Sequence, residues 1–319
     1  MPPQSGRARS IRARRAPKMY ELKRTHARAA FKDLLGQANH FLITLLVGLG
    51  AVSDGIAKLD DEFRTSWNPR DVKKSAERSR QFALDLSLVR AVDALDTYMM
   101  QARRSPTALT SADFASAMDG TGQKVSKRLE VFSAFLTPLA IRQQLFLKLA
   151  IDWRNRRVHS LAADTISSEE QKELLTYYAS LKVEHNGLDM KALVGRYRSN
   201  EAPSFKDAAS VIRLTQTAVE HFDGQLLAGL EIESYLRGLM ARTLDPPRSP
   251  AIKDALRNAC MNTWGETEKR ANKSSRIMRM VGVHSTAVVT GRQVPDELVE
   301  RTAAMTPDEA FEYLRSSST

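Results

Sequence analysis

The stretch LFLKLAIDWRNRRVHSLAADTI, residues 145–166, decides how this chain reads. Its apolar residues recur every three or four positions, the spacing of a helix laid against a core. At about 100° per residue, Leu147, Ala150, Ile151, Val158, Leu161 and Ala162 fall on one face, with Arg154 in the middle of it. Asn155 and His159, four apart, lie together at the edge of that face, with Asp152 and Lys148 beyond. A guanidinium in an apolar stripe is costly unless it is paired or used, so a partner across the packing seam is expected. An imidazole at the seam's edge is semi-exposed, where it can take and give a proton. An arginine and a histidine with an asparagine between them can hold a phosphodiester and move a proton.

The surrounding sequence is helical. Asn68-Pro69 reads as a helix start, and the helix it opens reaches Arg103 or Arg104, where Ser105-Pro106 ends it. Its stripe includes Phe82, Leu86, Val89, Val92, Leu95, Asp96 and Met99. Asp93 and Asp96, three apart on this helix, are the candidate partners of Arg154. A short helix at 111–118 and another at about 125–136 follow, separated by a plain turn at DGTGQK (119–124). Pro138 opens the motif helix, which is expected to run to about Ala163. Ser167 with Glu169, Glu170 and Gln171 caps the next helix, roughly 168–185. Upstream, residues 20–63 show helical spacing, predicting two helices with a bend near Gly48 or Gly50.

These signals predict an all-α protein, a helical bundle with additional C-terminal helices. The expected organisation is a disordered basic arm at 1–18, a bundle carrying the motif at 19–186, a linker at 187–204, and a mostly helical region at 205–319. In the last, VGVHSTAVVTGRQV (281–294) is the only plausible strand pair, and Thr306-Pro307-Asp308-Glu309 is a capping box.

Composition narrows the class. The chain has 319 residues, with 42% hydrophobic and 27% charged, ordinary for a soluble globular protein. Fifteen glycines and twelve prolines are few, which favours long helices over a many-turned β fold. A single cysteine, Cys260, excludes an internal disulfide and a cysteine metal cluster, and fits a reducing compartment such as the cytoplasm. The formal net charge is +11, and residues 1–36 hold ten Lys/Arg against Glu21 and Asp33, a local +8 that leaves +3 elsewhere. The basic excess is therefore an arm, either a phosphate-binding tail or a solubilising terminus. No secretory signal is expected, because no apolar run follows the Arg-rich start directly. The apolar run Phe41–Val52 is about half a bilayer span and is expected to be a core helix, so no membrane association is predicted.

Histidines 26, 40, 185, 221 and 284 show no metal spacing and no nucleophile elbow is present, so no metal or cofactor is expected. Trp153 is expected to pack on the far side of the motif helix.

The pattern Arg154-Asn155-x-x-x-His159 within a helical bundle resembles the HEPN superfamily of endoribonucleases. The match covers those three residues and, more loosely, the helical region of about 69–186. The resemblance implies metal-independent RNA cleavage at a site assembled from two bundles, and a place among toxin–antitoxin or antiviral abortive-infection systems, with an antitoxin or sensor protein as a further partner. It implies that His159 is the general acid or base, that Arg154 contacts the scissile phosphate, and that Asn155 orients the imidazole or binds the phosphate. Lys148, Arg156 and Arg157 would line the cleft of a homodimer as RNA contacts. One HEPN subgroup carries a tyrosine two residues after the histidine, where this chain has Leu161. The competing reading is a non-enzymatic helical RNA-binding or scaffold protein, using the basic arm and the patch Lys269, Arg270, Lys273, Arg276 and Arg279. A third is an all-α regulatory partner in which Arg154 only locks a dimer seam.

Overall fold

The computed structural model describes residues 19–57, 67, 69–159, 166–246, 254–265 and 270–316. Among them the chain forms fifteen helices and three short strands, so it is mostly helical as the periodicity predicts. The basic arm and the Leu161 position lie outside the described residues. Two compact units are present, one from Arg24–Glu231, the other from the described residues of Met1–Lys23 and Ile232–Thr319.

The larger unit is built around α3 (Val72–Ala102), which packs against α1 (His26–Leu35), α2 (Ala38–Ser53), α6 (Ile141–Val158) and α10 (Phe205–Gly229). Asp71 caps α3 by accepting from the Lys74 amide. The buried stripe of α3 is Leu84, Leu88, Val92, Leu95 and Met99, whereas Phe82 and Leu86, expected in the stripe, are exposed at 64% and 50%. They project about 160–200° away from Leu84 on the helix, on a side left open to solvent among the described residues. Between α3 and α6 come α4 (Ala112–Asp119), capped by Ser111, and α5 (Val125–Phe135). Phe114, Phe132 and Phe222 meet edge-to-face in the core they enclose.

After the motif helix, α7 (Ser168–Thr176) begins with the capping box Ser167/Glu170, as the sequence predicts. The chain then turns into α8 (Tyr178–Glu184) at Tyr177. The stretch expected as a linker, 187–204, carries α9 (Met190–Arg198). Met190, Leu193, Val194 and Tyr197 of α9 are buried in the same core as α3 and α6, and α10 packs on α3. The unit therefore ends at Glu231 and not near residue 186: apolar side chains inside a polar-looking stretch found a surface to cover.

The apolar run Phe41–Val52 is helical, but it is not a core helix. Of α2 only Leu42 is buried, while Phe41, Ile43, Leu45 and Val47 are 48–68% exposed. The break between α1 and α2 falls at Gly36-Gln37, not at Gly48 or Gly50. By length and composition the stretch His26–Ser53 is apolar enough to cross a membrane, with 11% of its most apolar window buried.

The second unit joins α11 (Ile232–Leu244), α12 (Ala255–Trp264), α13 (Arg270–Met280), α14 (Asp296–Ala304) and α15 (Pro307–Arg315) to a three-stranded sheet. The predicted strand pair forms as β2 (Val283–Thr286) and β3 (Arg292–Val294), but the two do not pair with each other. β1 (Met19–Leu22) lies between them, antiparallel to both. Buried Glu21 on β1 accepts from the Thr290 and Gly291 amides at 2.7 and 3.0 Å, which staples the connecting turn to the central strand.

Candidate functional site

Helix α6 carries the motif through Leu145, Phe146, Leu147, Leu149, Ala150, Ile151, Asp152 and Trp153, all buried. The helix stops at Val158, earlier than the expected Ala163. His159 is its C-cap, in extended backbone (φ −122°, ψ 112°), with its amide donating to the Asn155 carbonyl at 2.7 Å. Its ring is exposed. The imidazole therefore stands at the end of the helix and not along its flank.

Arg154 is half-buried at the seam with α3. Its Nη2 donates to Asp93 Oδ1 at 2.5 Å and its Nη1 to Asn155 Oδ1 at 3.1 Å. Its Nε is buried without a partner among the described residues. Asp96 is drawn elsewhere, to Arg128 on α5, whose other amino group reaches the Gly122 carbonyl. Of the two aspartates in sequence, only Asp93 meets the motif arginine. Asn155 binds Arg154 through its side chain and accepts from the His159 amide through its backbone carbonyl, so it holds the guanidinium and closes the last helical bond before the histidine.

The three cations expected along a cleft all have partners within the chain. Lys148 Nζ reaches Glu170 Oε1 at 2.7 Å. Burial pushes the Glu170 carboxyl up, but the Lys148 ammonium and the Ser167 amide hold it below its ordinary value. Arg157 forks onto both oxygens of Asp85 at 2.8 and 2.6 Å and reaches the Asn200 carbonyl. Arg156 lies over the Tyr197 ring, 4.9 Å from its centre, and donates to the Tyr197 carbonyl. Contact with a phosphate would require each of them to exchange or share its partner. Of the basic C-terminal patch, Lys273 and Arg276 are similarly engaged, donating to the Trp264 and Thr263 carbonyls at the end of α12.

Two anchors were not singled out from sequence. Asp85, eight residues before Asp93 on α3, follows helical spacing and could have been found that way. Asp152, placed beyond the edge of the apolar face by helical spacing, is instead fully buried, and its Oδ2 accepts from the Ile166 amide and the Tyr197 hydroxyl at 3.1 Å each. It thereby ties α6 to the far end of the segment that follows His159. Trp153, fully buried, donates to the Glu201 carbonyl at 3.1 Å and meets Tyr197 edge-on.

Among the described residues, no group of three or more His, Cys, Asp or Glu side chains is arranged to hold a metal ion. Compared with protein-family models, curated proteins and solved structures, the chain matches none.

Proposed function

We propose that this chain is an endoribonuclease of the HEPN type, cleaving RNA without a metal ion. One observation carries the reading: a seam guanidinium is held by Asp93 and the Asn155 side chain, and exposed His159 caps the end of the same helix five positions on. That arrangement puts a fixed positive charge and a group able to transfer protons on the last turns of one helix.

In this reading a His159 imidazole takes the proton from a ribose 2′-OH. The freed oxygen attacks the adjacent phosphorus, and the bond to the 5′-oxygen breaks. A protonated imidazole returns a proton to that leaving oxygen, and the products are a 2′,3′-cyclic phosphate and a 5′-OH. Arg154 stabilises the charge that gathers on the phosphoryl oxygens. One chain supplies one imidazole, so a homodimer about a two-fold axis would supply both acid and base. Exposed Phe82, Leu86 and Val158, on the elements that carry Asp93 and Arg154, are the apolar surface such a pairing would cover. A cytoplasmic toxin or antiviral defence role, held in check by an antitoxin or sensor, belongs to the same proposal.

The test is cleavage of RNA in excess EDTA by wild type, His159→Ala and Arg154→Ala proteins, with the product ends identified. Wild type should cut and leave cyclic phosphate ends, and each substitution should abolish cutting. Activity that survives both, or that needs a divalent ion, overturns the proposal.

A further inference from the structure

A cavity of about 520 Å³ lies between α5 and α6. Leu129, Leu145 and Ile151 form its apolar wall, and all three are buried. Ser126, Glu130 and Ser133 bring polar groups to it from one face of α5, and none of them hydrogen-bonds another described residue. The Lys148–Glu170 pair stands at its edge.

The position of this cavity is what gives it meaning. Gln144, Lys148 and Ile151 present one face of α6 to it, and Asn155 continues that face one turn on, about 6 Å farther along. His159 caps the helix one turn later. A polymer lying along this face would meet the cavity immediately beside Asn155.

We infer that the cavity receives a nucleobase bearing an exocyclic amine, from a nucleotide neighbouring the bond that is cut. Apolar walls fit the two faces of a flat ring, as in other single-strand RNA sites, where bases are splayed out and read at their edges. The Glu130 carboxylate accepts from an exocyclic amine, while the Ser126 and Ser133 hydroxyls donate or accept along the same edge. The volume is at the scale of small-ligand sites and accommodates a base with its sugar. This subsite rests on the ribonuclease reading for its place on the strand, and on the cavity alone for its chemistry.

The experiment uses the full chain as wild type, Ser133→Phe to fill the cavity and Glu130→Gln to blunt the edge, with circular dichroism confirming that each folds. Cut sites in a random-sequence RNA pool are sequenced. In parallel, binding of a 2′-O-methyl oligonucleotide and of CMP, AMP, GMP and UMP is measured by NMR. Wild type should prefer A, C or G over U at one position beside the cut. Ser133→Phe should erase that preference and weaken oligonucleotide binding about tenfold or more, through KM and not kcat. Glu130→Gln should shift which base is preferred. If wild type cuts RNA but Ser133→Phe changes neither preference nor binding, the subsite is wrong while the nuclease stands. If nothing is cut but oligonucleotide binding still depends on Ser133, the nuclease reading fails and the base site stands. A free nucleotide that binds the cavity and is not displaced by the oligonucleotide overturns the assignment to an RNA strand.

Discussion

Asp93 on α3 and Arg154 on α6 form an ion pair at 2.5 Å across the seam between the two helices, and the aspartate side chain remains 45% exposed. A pair this open to solvent contributes little to stability, about 1 kcal/mol or less. Its larger consequence is directional: it fixes where the guanidinium points. Asp93→Asn is therefore expected to leave the unfolding free energy nearly unchanged while lowering RNA cleavage by about tenfold or more through misplacement of Arg154. Arg154→Lys should not rescue function, since an ammonium cannot grip Asp93 and Asn155 from one planar fork. Denaturant titration beside single-turnover cleavage separates the two effects.

Asp152 should behave in the opposite way, as a structural anchor. It is fully buried and holds both the Ile166 amide and the Tyr197 hydroxyl. Tyr197→Phe is expected to cost about 1 kcal/mol and Asp152→Ala about 2–4 kcal/mol, because the alanine strands buried donors. The double variant should be less destabilised than the sum, which a double-mutant cycle in urea would measure.

His185 makes stability acid-sensitive. Its ring packs edge-on against Phe146, and Nδ1 is buried without a partner among the described residues. Burial lowers its pKa from 6.5 to about 4. Unfolded chains take up this proton near pH 6.5 and folded ones only near 4, so across that window the unfolded state binds more protons. Stability should fall as pH drops through it and level off below. His185→Phe should flatten the profile between those values, as read by urea midpoints at several pH values.

Glu21 acts at lower pH. Burial alone would raise its pKa, but the Thr290 and Gly291 amides and Lys23 outweigh that and hold it at about 2, against an ordinary 4.5. The stabilisation is complete above 4.5 and is lost as pH falls toward 2. Amide exchange at residues 290 and 291 should accelerate in that window. Glu21→Gln should accelerate it already at neutral pH, at a cost of about 1.5–3 kcal/mol for the lost charged acceptor.

Helix α2 separates buried from exposed apolar residues within one run. Leu42 is 2% exposed and packs with Leu84 and Ala208, whereas Val47 is 68% exposed. Leu42→Ala should cost about 2–4 kcal/mol. Val47→Lys should stay within about 0.5 kcal/mol of wild type. Thermal unfolding of both variants tests the assignment.

Much of this protein was legible in the linear chain because helices announce themselves locally. The caps at Ser167 and Thr306 and the weak strands near 281–294 depend on neighbours a few residues apart, whereas the stripe read on α6 is buried at Leu147, Ala150 and Ile151 but not at Val158, which is exposed. The same local signal showed that Arg154 needs a partner and that Asp93 or Asp96 could supply it. Choosing Asp93, giving Asp96 to Arg128, engaging Lys148, Arg156 and Arg157 with Glu170, Tyr197 and Asp85, and inserting β1 between β2 and β3 all required distant segments to meet. Periodicity states that a face is apolar but not what is available to cover it, which is why α2 reads as core and lies largely exposed. Only packing in three dimensions allots a limited set of partners among competing charges and apolar faces.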